Sequence, residues 1–216
     1  MLRTRAITIT TDHTVLQGDL SLPEKPVGLV LFAHGSGSSR FSPRNRFVAK
    51  TLQLGELATV LLDLLDDRES TDRRKVFDIE LLAGRLLAAS DWLSHDEETA
   101  SLLLGYFGAS TGAGAALQAA ALEPQAVAAV VSRGGRPDLA DAYLPRVVAP
   151  TLLIVGGHDE PVIGMNEAAL ARLTCPKRIV VIPGATHLFE EPGTLEQVAG
   201  LALDWFRRYL PAGDMQ

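Results

Sequence analysis

The chain carries a single cysteine, Cys175, in 216 residues. An intrachain disulfide framework is thereby excluded, and so sparse a thiol content suits a reducing compartment. Basic excess is missing too: 20 Lys and Arg against 26 Asp and Glu leave a formal charge of −6. A nucleic-acid binder needs a net basic face, so nucleic acid is not an expected partner. No stretch reaches the ~18 uninterrupted apolar residues of a membrane span. The first eight residues, MLRTRAIT, lack the apolar core of a signal peptide. The expectation is a cytoplasmic protein with no membrane partner. Paired cysteines and an H-E-x-x-H motif are both absent, so no metal site is expected. What is present is ordinary for a globular chain: 47% apolar and 21% charged residues. At this length roughly 70% of the unfolded surface can be buried without a covalent or metal staple. With no repeat, low-complexity tract or linker, one domain over residues 1–216 is expected.

Two alternating segments, Ala6–Thr11 and Val15–Leu22, flank the turn Thr11-Asp12-His13 and predict an antiparallel hairpin at a sheet edge. The pattern then changes to short continuous apolar runs: Val27–Ala33, Ala58–Leu62, Ser101–Phe107, Ala126–Val131, Thr151–Val155 and Arg178–Ile182. Such runs predict strands buried on both faces of a parallel sheet. Helical patterns lie between them, at Arg44–Leu54, Thr111–Leu122, Asn166–Leu173 and Leu195–Leu210. A long helix is marked by the stripe Ile79, Leu82, Leu86, Ala89 and Leu93. Thr194 and Gln197 predict a capping box at the start of the last helix. The mixed-charge run Asp66–Lys75 reads as a solvated loop, with a flap over the site as the alternative. Alternating strands and helices with short links predict an α/β fold, a mostly parallel sheet covered on both faces.

Gly108-Ala109-Ser110-Thr111-Gly112 matches G-x-S-x-G, follows an apolar strand and opens an Ala-rich helix. That context turns a weak pattern into a nucleophile elbow. Small flanking residues let the chain turn sharply, which lifts the Ser110 hydroxyl clear of the sheet. A serine hydroxyl needs a positioned base. His187 follows the last strand and Asp159 the preceding one, so all three emerge at one sheet edge. The expected roles are Ser110 as nucleophile, His187 as base and Asp159 as the group orienting the imidazole. His34-Gly35-Ser36-Gly37 follows the first parallel strand, and the backbone N–H groups of Ser36 and Thr111 are the expected oxyanion donors. His34 is expected to brace its own loop rather than take part in chemistry.

With these motifs the chain resembles an α/β-hydrolase of the dienelactone hydrolase-like group. The features that carry the likeness are His-Gly at the oxyanion loop, the elbow, G-x-D-x-x-V around Asp159 and G-x-x-H before the last helix. The resemblance runs from Val27 onward. It departs at the nucleophile, where that group has cysteine and this chain has Ser110. The departure favours a serine esterase over a dienelactone substrate.

Other readings are weaker. Gly112-Ala113-Gly114-Ala115-Ala116-Leu117 approaches a dinucleotide fingerprint, with Arg133 placed to meet a 2′-phosphate. It lacks the third small residue and the ribose-binding acid, so no cofactor is expected. A haloalkane dehalogenase needs a carboxylate where Ser110 stands. Arginines near the functional edge, Arg40, Arg133 and Arg136, are candidate anchors for a substrate carboxylate, with structural ion pairing as the alternative. Only a small helix fits around Pro137–Tyr143, so no cap domain is expected. The expected function is hydrolysis of small or short-acyl esters, lactones or thioesters through an acyl-enzyme. The alternatives are a hydrolase-fold receptor with little turnover, or peptidase or perhydrolase chemistry on the same three residues. Oligomeric state is not readable from these features.

Overall fold

A computed structural model describes residues 1–11 and 14–211. Eight strands form one sheet: β1 (Arg3–Thr10), β2 (Val15–Leu22), β3 (Leu29–Ala33), β4 (Ala58–Leu62), β5 (Leu104–Ala109), β6 (Ala129–Arg133), β7 (Thr151–Gly156) and β8 (Lys177–Ile182). Their order is β1-β2-β4-β3-β5-β6-β7-β8. The β1–β2 hairpin and its junction with β4 are antiparallel. Every later pairing is parallel. The predicted hairpin therefore stands at the edge, although Asp12 and His13 of its turn lie outside the described residues.

Period-two alternation in the buried strands divides the core. Val30, Phe32, Phe107 and Val131 face one side, where they meet α1 (Pro43–Leu54) and α6 (Thr194–Tyr209). Leu31, Tyr106 and Val130 face the other, against α3 (Ile79–His95) and α4 (Thr111–Leu122). The predicted stripe Ile79, Leu82, Leu86, Ala89 and Leu93 is buried there in full. Helix α4 is buried almost all round, and its alanines and glycines allow it to lie close against the sheet.

Four local expectations need correction. Strand β8 is the outermost and largely solvent-facing, so its apolar run marks an edge strand rather than one buried on both faces. Helix α5 (Glu160–Arg172) begins six residues before the predicted Asn166, because Pro161 is well suited to a first helical turn. The predicted capping box does not form. Gly193, at φ 79°, leads into α6, the Thr194 hydroxyl donates to the Glu191 carbonyl, and Gln197 Nε2 donates to the Gly193 carbonyl. The charged run Asp66–Lys75 is not a plain loop: it holds a 3₁₀ turn at Glu69–Thr71 and opens the short α2 (Arg73–Val76).

Glu69 anchors that run. The carboxylate of this residue, 8% exposed as a whole, meets the buried Arg85 guanidinium through two hydrogen bonds of 2.6 and 2.7 Å, and Lys75 adds a third at 2.9 Å. Between β6 and β7 the chain makes only a 3₁₀ stretch, Pro137–Arg146, so no cap is inserted over the sheet. Among the described residues no helix is long and apolar enough to cross a membrane.

Candidate active site

The carboxyl ends of β3, β5, β6 and β7 converge at the point where a doubly wound sheet leaves a crevice. At the end of β5 the chain turns into α4 through Ser110, whose φ of 51° and ψ of −121° lie outside the ordinary regions for a side-chain-bearing residue. The strain is held on both sides. Ser110 N–H donates to the Arg133 carbonyl at 3.2 Å, and the Ser110 carbonyl accepts from Arg136 and Ala113, each at 3.1 Å. The flanking glycines are sterically required. A Cβ on Gly108 would lie 2.4 Å from Ala113 Cα, and one on Gly112 would lie 2.3 Å from the Ala33 carbonyl oxygen. Both contacts are with backbone, which cannot swing aside.

Asp159 leaves the end of β7 and His187 the loop after β8. The imidazole Nδ1–H donates to Asp159 Oδ2 at 2.6 Å. This partner sets the tautomer and leaves Nε2 as the acceptor. The loop that carries His187 is tied from outside: Glu191 accepts from the Thr186 amide at 3.0 Å and from its hydroxyl at 2.7 Å. Those bonds, the hydroxyl's first, hold the Glu191 carboxyl below its ordinary range. Glu191 reads from sequence as a solvated approach to the last helix, because its bracing role appears only when the loop closes on itself. Gly134, at φ 50°, brings β6 against this loop, so that a Cβ there would stand 3.5 Å from His187 Nδ1. Among the described residues, no hydrogen bond joins the Ser110 hydroxyl to the His187 ring.

On the other side of the elbow lies the loop after β3. The buried His34 donates from Nδ1 to the Gly35 carbonyl at 3.0 Å and accepts the Leu64 amide on Nε2 at 3.0 Å. Burial first of all keeps its pKa below the usual value, in keeping with a neutral brace between β3 and β4. The Ser36 amide, one expected oxyanion donor, donates to Thr111 Oγ1 at 2.9 Å. Thr111 opens α4, where the first backbone amides have no partner within the helix. Beside these residues a cavity of about 240 Å³ runs from the His34–Ser39 loop to Val76 and Leu82. The Asp66–Lys75 run is thus one of its walls. Depressions of about 550 and 580 Å³ lie on the surface away from Ser110, whereas one of about 510 Å³, lined by Arg44, Phe189 and Glu190, adjoins the loop that carries His187.

The three candidate arginines part company. Arg40 is paired with Asp63 through both its backbone amide and its guanidinium. Arg136 makes a two-pronged pair with Asp138 at 2.8 and 2.7 Å. Each has a carboxylate of its own, as the structural alternative anticipates. Arg133, 7% exposed, has none among the described residues. His95 and His158 are exposed, and His13 is outside the described residues. Cys175 is buried and its thiol lies against the Thr151 hydroxyl. Among the described residues no group of three or more His, Cys, Asp or Glu is placed to hold a metal ion.

A mostly parallel sheet, a strained serine between strand and helix, and a histidine–aspartate pair on the loops after the last two strands define the α/β-hydrolase class. Within it, the chain belongs to the dienelactone hydrolase family, which matches residues 65–210. A dienelactone hydrolase from Anabaena variabilis ATCC 29413 is 58% identical, with a TM-score of 0.95 over 97% of this chain and 99% of that one. A lid-less serine hydrolase from Xanthomonas campestris shares the fold at 22% identity, with a TM-score of 0.79 over 97% of this chain and 96% of that one. A protein of Mycobacterium tuberculosis strain H37Rv, provisionally named a phosphoribosyl transferase, is 57% identical over 209 residues. That match takes in 97% of this chain and 47% of the relative, so the chain spans about half the length of such curated relatives. The fold and family are those of hydrolases.

Proposed function

We propose that the chain is a serine hydrolase of small or short-acyl carboxylic esters, lactones and thioesters included. The observation that carries this reading is the 2.6 Å Asp159–His187 hydrogen bond on the rim beside the strained Ser110. In the proposed reaction the Ser110 hydroxyl attacks the substrate carbonyl while His187 Nε2 takes its proton. Asp159 stabilises the resulting imidazolium. The oxyanion is received by the Thr111 amide and by the Ser36 amide, which exchanges its bond to Thr111 Oγ1 for the substrate oxygen. One such donor is worth on the order of 3 kcal/mol in the transition state. His187 then protonates the departing alcohol, and a water activated by the same ring releases the acid. The small cavity and the short Pro137–Arg146 crossover favour compact acyl groups over long lipids.

A second reading, a hydrolase-fold receptor with little turnover, is favoured by the missing Ser110–His187 hydrogen bond. In unliganded enzymes that contact is often loose and tightens on substrate binding, so the hydrolase reading takes precedence. The transferase name given to the Mycobacterium tuberculosis relatives belongs to proteins about twice as long. No residue of this site gives a reason to carry that name over.

The test is Ser110→Ala assayed on short p-nitrophenyl esters, with a thermal melt to show that it folds. A loss of at least ~10³-fold in kcat at unchanged Tm is expected. Retained activity removes Ser110 from the nucleophile's role. Fluorophosphonate labelling of the wild-type protein without steady turnover establishes the receptor instead.

A further inference from the structure

Arg133 is the last residue of β6, and its carbonyl holds the Ser110 amide. Its side chain follows Ala129 and Val131 at period two, on the sheet face that packs against α1 and α6. Its guanidinium carbon lies 5.8 Å from the centre of the Phe189 ring, and Phe189 is two residues beyond His187. Nε and Nη1 are both buried without a hydrogen-bond partner. Among the described residues Nη2 has no hydrogen-bond acceptor, and unlike Nε and Nη1 it is not fully buried.

The surroundings add positive charge instead of cancelling it. Arg44, in the first turn of α1, is close enough to disfavour the charge on Arg133, and its own Nε is buried without a partner. Burial first, and Arg44 second, pull the Arg133 guanidinium down to about 10, which still leaves it protonated at neutral pH. Glu190 bonds Arg44 at 3.2 Å from an exposed position and makes no ion pair with Arg133. A second guanidinium, itself bonded to Glu190, thus stands near Arg133, whereas Arg40, Arg85 and Arg136, like Arg44, each have a carboxylate partner that Arg133 lacks among the described residues. Buried charge is ordinarily paired, because an isolated ion in an apolar setting is strongly unfavourable. The planar fork of arginine matches the two oxygens of an oxyanion.

We propose that Arg133, supported by Arg44, is the anchor for an anionic group on the substrate, a carboxylate or a phosphate, making the preferred substrate an acid ester. This rests on the hydrolase reading for its use in turnover, but the anion site itself does not. Phe189 covers the guanidinium and raises the strength of any ion pair formed beneath it by keeping water away. Because β6 also fixes Ser110, the anion and the carbonyl to be attacked are held by one strand end. Binding the charge therefore sets the position of the acyl group.

Two measurements test it on the whole chain. In the first, kcat/KM is compared for mono-p-nitrophenyl succinate and the neutral p-nitrophenyl butyrate, in wild type, Arg133→Met and Arg133→Lys. Wild type should prefer the acid ester at least tenfold. Arg133→Met should reduce that preference at least tenfold, mainly through KM, and Arg133→Lys should restore part of it. A wild-type preference near one, or one that Arg133→Met leaves intact, overturns the proposal. In the second, the Tm of Ser110→Ala is followed against succinate and against inorganic phosphate, with and without Arg133→Met. A saturable rise lost on adding Arg133→Met supports the site, and the anion that produces it identifies the class. No rise with either anion, or the same rise in both proteins, overturns the site. An anion-dependent rise in a wild type that hydrolyses no ester keeps the site and sinks the hydrolase reading. Hydrolysis blind to substrate charge does the reverse.

Discussion

Arg85 and Arg133 are both buried, at 4% and 7% exposure, yet they live under opposite conditions. Arg85 donates to Glu69 twice and to the Leu64 carbonyl, so its charge is neutralised by a group the chain itself supplies. Arg133 has no carboxylate partner among the described residues, and the charge that acts on it is a second cation, Arg44. The first arrangement ties the Glu69–Val76 wall of the cavity to α3, whereas the second leaves a charge at the reactive edge uncompensated. If Arg133 anchors an anion as proposed, stability and ligand recognition draw on the same residue type, and the presence of an internal carboxylate separates the two uses.

The largest effect should come from breaking the compensated pair. Arg85→Met leaves a carboxylate stranded beside α3, a loss normally worth about 3–5 kcal/mol. Lys75 partly compensates, so a value near the lower end is expected. Removing both partners, Arg85→Met with Glu69→Leu, should recover most of the loss in urea melts. If the double variant is as unstable as the single one, Glu69 is not what Arg85 stabilises.

Acid should act on the same pair. Hydrogen bonds from Arg85, above all, hold Glu69 down to about 2, against an ordinary 4.5. A carboxyl with a depressed folded-state value binds protons more readily when unfolded. Its contribution is therefore complete above pH 4.5 and is lost as the pH falls from there toward 2. Plotted against pH, the stability of the Arg85→Met, Glu69→Leu double variant should fall less steeply than wild type in that window. Parallel curves would remove Glu69 from the account.

Arg133 should give the smallest change in stability, and with the opposite sign. Removing an uncompensated buried charge relieves desolvation, so Arg133→Met should melt at the same temperature or higher, by up to about 1 kcal/mol. The folded state binds this proton more weakly than the unfolded chain, so the penalty applies below about 10 and fades as the pH rises through it. The advantage of Arg133→Met should shrink over that range. A clear loss of stability at pH 7 would mean that Arg133 has a structural partner and that the contrast with Arg85 fails.

The elements with strong local signals were the ones that sequence could place. Ala58–Leu62 and Thr111–Leu122 begin and end where the periodicity sets them, and the elbow glycines are needed at the two positions the motif names. Less of the last third could be read in advance. The edge position of β8 depends on having no neighbour beyond it, which no run of residues announces. The start of α6 lies within one residue of its expected place, but its cap is not legible, because a glycine at positive φ and the Glu191 carbonyl act where a capping box is expected. Among the candidate site residues, the motifs located Ser110, Asp159 and His187, and the His187–Asp159 contact is observed. Which arginine was free was hidden, because Asp63 and Asp138 find their partners only in the assembled protein.

The order of chemistry along the chain, the strained turn at Ser110 and the α/β alternation follow from sequence by itself, because each rests on local sterics or on a short hydrophobic period. Whether a charge is balanced is a different kind of property. It depends on groups distant in the chain, such as Glu69 and Arg85 or Arg44 and Arg133, and on how much water remains around them. Only the folded chain decides that, since Coulomb interactions and desolvation depend on distance in space and are blind to separation in sequence.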